Sequence, residues 1–60
     1  MLNEKEEMKF KPGDEVWHKN RPGVVIYGCN YVAGIYYMVQ LENDLFATLI
    51  KEEDLDADEI

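Results

Sequence analysis

His18 and Cys29 are the side chains best suited to nucleophilic or metal chemistry, and each residue type occurs once. A structural zinc site takes four nitrogen or sulfur ligands, mostly in closely spaced pairs. Two unpaired candidates do not supply it. A cysteine–histidine nucleophile needs a third group to orient the imidazole, and nothing in the spacing provides one. Serine is absent and Thr48 is the single aliphatic hydroxyl, which excludes a serine mechanism. Gly13, Gly23, Gly28 and Gly34 are too scattered to form a phosphate loop. The carboxylates of Glu52, Glu53, Asp54, Asp56 and Asp58 lack the spaced loop with a central glycine that calcium sites use. No catalytic residue, metal ligand or cofactor is expected, and the chain reads as non-enzymatic.

The elements that position side chains must be few. A 60-residue chain allows one domain with a small core and little room for a buried cleft. Its 47% apolar and 12% aromatic content is too rich for a disordered chain. One cysteine makes no internal disulfide. Apolar runs are far too short to span a bilayer, and the acidic start carries no signal-peptide pattern, so a cytoplasmic location is expected. The net charge of −7 is unevenly placed. Residues 1–11 balance, residues 12–50 carry −2, and residues 51–60 carry −5. A lysine or arginine stripe suited to nucleic acid or to an anionic membrane is missing.

Strand signals dominate. Residues 1–9 read as a flexible lead-in. Lys11-Pro12-Gly13-Asp14 is a turn, with the Asp14 carboxylate placed to cap nearby amides. Residues 14–18 form a first strand and Asn20-Arg21-Pro22-Gly23 a second turn. Val24-Val25-Ile26-Tyr27 reads as a strand buried on much of both faces. A loop over residues 28–34 holds Tyr31 and Val32. In residues 35–41, Ile35, Tyr37, Val39 and Leu41 share one face, and Tyr36, Met38 and Gln40 the other. Glu42-Asn43-Asp44 turns the chain into a fourth strand over residues 45–50. A short helical turn over residues 51–54 follows. The expected core is Val16, Val25, Tyr37, Val39, Leu41, Ile50 and Leu55.

Four motifs together resemble the small SH3-like barrels, such as KOW and Tudor modules and the N-terminal domain of CarD-type regulators. They are Phe10-Lys11-Pro12-Gly13-Asp14-Glu15-Val16, Pro22-Gly23-Val24-Val25, Tyr36 to Leu41, and Ile50-Lys51-Glu52-Glu53-Asp54-Leu55. The resemblance covers residues 10–56 and leaves 57–60 as an acidic tail. It implies an all-β, five-stranded SH3-like barrel with a short helical turn before the last strand. It implies a single-domain bacterial or phage protein. A Tudor-type aromatic cage would draw on Trp17, Tyr27, Tyr31, Tyr36 and Phe46.

The aromatic set and the acidic end are the expected functional surface. Trp17 and Tyr36 are out of phase with Val16 and Tyr37, so both face outward. Exposed tryptophan and tyrosine are frequent interface anchors. Trp17, Tyr36, Tyr31, Asp56, Asp58 and Glu59 are therefore the candidate partner-binding residues. The first reading is a small acidic adaptor that binds another protein, with no direct nucleic-acid or membrane contact. The second is an acidic phage-type inhibitor that imitates nucleic acid and blocks a basic groove of a nucleic-acid-handling protein.

Overall fold

The computed structural model describes residues 8–58. It is mostly β: β1 (Glu15–His18), β2 (Arg21–Tyr31), β3 (Gly34–Leu41) and β4 (Thr48–Lys51) form one open antiparallel sheet in chain order. A 3-10 turn, Glu52–Asp54, follows β4.

The entry turn is built by its residue types. The Asp14 N–H donates to the Lys11 carbonyl at 3.0 Å across a Pro12-Gly13 centre, with Gly13 at φ 94°. Proline presets the first central φ and glycine accepts the positive second. The Lys11 N–H donates to the Asp14 carboxylate at 3.0 Å, so Asp14 does cap the turn. Gly13 and Asp14 then bond to Val25 and extend the β1–β2 ladder.

Three expected boundaries move. The β1–β2 turn is Lys19–Asn20, both at positive φ, ending three residues before Gly23. Positive φ at both central positions matches the right-handed twist of a two-residue hairpin. Arg21, Pro22 and Gly23 are strand instead. Pro22 is tolerated because β3 ends at Leu41, opposite Gly23, and asks no ladder N–H of it. Gly23 is required by packing: a Cβ there would lie 2.8 Å from Leu41 Cδ2 and 2.9 Å from the Gln40 carbonyl.

The expected loop over residues 28–34 is strand up to Tyr31, and the chain turns at Val32 and Ala33. Gly28 sits in β2 because the Tyr37 ring lies over it, 3.0 Å from where a Cβ would be. The expected fourth strand keeps Thr48 to Ile50 but loses Leu45, Phe46 and Ala47, which belong to the connection.

A β-bulge between Val25 and Tyr27 inserts one residue into β2. Of Val24, Val25, Ile26 and Tyr27, Val25 is buried and the other three are half-exposed. This corrects the expectation of a strand buried on both faces. The bulge shifts the phase, so Tyr27 turns outward and Gly28 inward.

The core is Phe10, Val16, Val25, Tyr37, Val39, Leu41, Ile50 and Leu55, with Ile35 and Met8 packed against it. All seven expected residues are present, and Phe10 is the addition. The expected fifth strand is reduced to one antiparallel bridge. Trp17 and Asp56 exchange backbone hydrogen bonds of 2.9 Å, which fastens the end of the chain to the free edge of β1.

Two substitutions test this packing. Leu55→Ala should cost about 2–4 kcal/mol, since the residue is buried among core side chains. In a domain this small that loss should lower the urea midpoint markedly. Gly23→Ala should cost about 1–3 kcal/mol, because the backbone carbonyl of Gln40 cannot yield as a side chain would. A wild-type melting midpoint for either variant would contradict the placement.

Candidate functional site: the outer face of the sheet

Directly paired residues of antiparallel strands project to the same face. The register therefore defines the face opposite the core. One row crosses it from Tyr27 through Met38 to Leu49, and a second from Cys29 through Tyr36 to Lys51. Val24 lies beyond the first row, paired with Gln40 and with Glu15. Tyr31 stands two residues beyond Cys29, and its ring meets Tyr36 edge-on at 5.6 Å and 62°. Tyr27, Tyr31, Leu49 and Val24 are each exposed by more than two-fifths. The face is thus a continuous apolar and aromatic surface on three paired strands.

Carboxylates border it at both ends. Glu15 and Glu42 flank a shallow hollow of about 260 Å³ with Pro22, Val24 and Gln40. Glu53 lies at the other end and pairs with Lys51 at 3.6 Å. A larger hollow of about 400 Å³ is lined by Asn30, Gly34, Ile35, Lys51, Glu52 and Glu53.

The structure brings Tyr31 and Tyr36 together but separates Trp17 from them. Trp17 pairs with Pro22 and Tyr36 with Cys29, seven residues apart on β2. That is about 20 Å of extended strand. Phe46 lies past the opposite end of β3, so the aromatic residues form no single cage. Asp56 is committed through its backbone to Trp17, while Asp58 is exposed. Glu59 lies outside the described residues. The acidic segment is also not wholly free: Glu52 and Glu53 are both engaged. Met38 and Leu49 were not among the candidate binding residues, although Met38 was placed on this face, and Tyr27 was named only for a cage. Leu49 was legible by alternation with Ile50, but Tyr27 faces out through a bulge that no residue type announces.

Chemistry on this face is limited. Cys29 raises the pKa of the neighbouring Tyr31, first by side-chain hydrogen bonding and then because a phenolate would be repelled by a thiolate. His18 contacts the Asp54 carbonyl at 3.2 Å, at the far end of β2 from Cys29. The two do not meet. Among the described residues, no group of three or more His, Cys, Asp or Glu is gathered as a metal ion requires. Among the same residues no helix is long and apolar enough to cross a membrane.

The face is held from behind by Tyr37, which is fully buried. Its hydroxyl donates to the Glu52 carboxylate at 2.6 Å and accepts the Phe10 N–H at 3.1 Å. The same Glu52 oxygen accepts the Lys9 N–H at 3.0 Å. Burial, then the bond to Glu52, raises the Tyr37 pKa above its ordinary value. Folding therefore retains a proton that the unfolded chain releases above about pH 10, so stability is full below that pH and declines above it. Tyr37→Phe should cost about 1–3 kcal/mol at neutral pH by stranding the Phe10 amide. It should also flatten the alkaline decline relative to wild type, as read from urea midpoints across the alkaline range. An equally steep decline in both proteins would place its origin elsewhere.

No protein-family model, curated protein or solved structure matches the chain.

Proposed function

We propose that the chain is a non-enzymatic protein-interaction module that docks the outer face of its sheet onto a partner protein. The observation that carries this reading is the row Tyr27–Met38–Leu49 with the Tyr31–Tyr36 pair beside it on three paired strands, where Tyr27, Tyr31 and Leu49 are exposed and Met38 and Tyr36 partly so. A small sheet that buries one face and leaves aromatic side chains on the other presents contact area at low entropic cost. The carboxylates at both ends call for a partner with an apolar patch rimmed by lysine or arginine. A nucleic-acid-handling protein offers such a rim beside its basic groove.

The scaffold we propose is an SH3-like barrel. The Trp17–Asp56 bridge supports it, because it stands where a fifth strand would meet β1. A free Cys29 thiol suits a reducing cytoplasm. The nucleic-acid-mimic reading has less behind it, because the Glu52 and Glu53 carboxylates already have partners within the fold.

The test is affinity measured for one captured partner across a set of variants. Tyr36→Ala and Leu49→Ser should each weaken binding at least tenfold, as expected of anchors near an interface centre. Trp17→Ala should change it less than threefold. Glu42→Gln with Glu53→Gln should slow association and flatten its salt dependence, with little effect on dissociation. If Tyr36→Ala and Leu49→Ser bind like wild type, the outer face is not the interface. If the acidic variants alone abolish binding, the mimic reading replaces this one.

A further inference from the structure

Leu45 and Phe46 are 88% and 79% exposed, on the connection between β3 and β4. Isolated apolar residues on a surface need no explanation, but a leucine and a phenylalanine side by side at this exposure do. The base beneath them is fastened. The Asp44 N–H donates to the Leu41 carbonyl at 3.1 Å, with Asn43 at φ 72°. The Glu42 N–H donates to the Pro22 carbonyl at 2.8 Å. The Arg21 guanidinium reaches the Asp44 carboxylate at 2.7 Å and the Glu42 carbonyl at 3.0 Å. The Gln40 side-chain amide donates to the Asp44 carbonyl at 2.7 Å. A turn tied by an ion pair and backbone bonds to two strands is not a slack loop. It leads into an apolar tip projecting from a braced stem.

We propose that Leu45 and Phe46 form an apolar finger that inserts into a preformed apolar pocket, with a lysine or arginine at its rim, on a partner protein. A braced stem loses little conformational freedom on docking, which is the property an inserted anchor needs. The basic rim follows from charge. Arg21 neutralises Asp44, whereas the exposed Glu42 side chain has no cation of its own among the described residues. A second copy of the chain is the poorer occupant, because two bodies of net charge −7 would meet. This inference goes beyond the outer-face reading and does not depend on it: the finger leaves the sheet past Leu41, at the opposite end of β3 from Tyr36.

A photoreactive benzophenone side chain at position 46 tests the proposal in a lysate of the source organism. Expected is an adduct with one protein. Excess wild-type chain should suppress it at least tenfold, and the Leu45→Ser/Phe46→Ser chain should not. The crosslinked peptide should be apolar with a neighbouring lysine or arginine. The double variant should melt like wild type, since neither side chain is packed. A Tyr36→Ala competitor that suppresses the adduct as wild type does would show the finger acting independently, so failure of the outer-face reading registers separately. An adduct with a second copy alone, equal suppression by the double variant, no adduct, or a lowered melting point of the double variant would each overturn the proposal.

Discussion

The Tyr37 hydroxyl is where the separate parts of the chain meet. It bonds at once to the Glu52 carboxylate after β4 and to the Phe10 amide before β1. Its ring packs edge-on against Phe10 at 5.4 Å and covers Gly28 of β2. One side chain thus joins the entry segment, two neighbouring strands and the 3-10 turn. A hydroxyl this deeply buried is tolerated because it both donates and accepts. Around it the core is apolar apart from that oxygen. The Trp17–Asp56 bridge adjoins the same arrangement: Leu55, bonded through its N–H to the Glu52 carbonyl, is buried in the core, and Asp56 follows it.

The small core has a consequence for the surface. Six strand residues, with Phe10 and Leu55 packed on them, fill one face of the sheet, and among the described residues no second layer covers the other. A free outer face could have been polar, as in many antiparallel sheets. Here it carries tyrosines, a methionine and a leucine, with carboxylates set at its ends. Apolar area in the middle favours contact, and charge at the margin restricts which partners can make it. Arg21 and Gln40 do different work, bracing the stem of the Leu45–Phe46 tip.

Alternation in β3 is regular, so Tyr37, Val39 and Leu41 were assignable to the core from period two alone. The Pro12-Gly13 turn and its Asp14 cap were equally legible, because proline, glycine and aspartate each have a narrow conformational use there. Leu55 stood out as an apolar residue in an acidic stretch. These are local signals, written in residue type and near-neighbour spacing.

Tertiary structure decided what local signals could not. The bulge in β2 arises where Val25 must stay inward while the Tyr37 ring claims the space over Gly28, and that conflict exists only once β2 and β3 are paired. It turned Tyr27 outward and carried the strand through to Tyr31, where Tyr36 meets it. Strand pairing also separated Trp17 from Tyr36, because both face outward but at opposite ends of an 11-residue strand. Leu45 and Phe46 read as strand by composition, yet the Leu41–Asp44 turn and its Arg21 brace keep them off the sheet. Phase within a strand is set by residues next to one another. The assembly of a surface is set by contacts between residues distant in the chain, which no single stretch of sequence encodes.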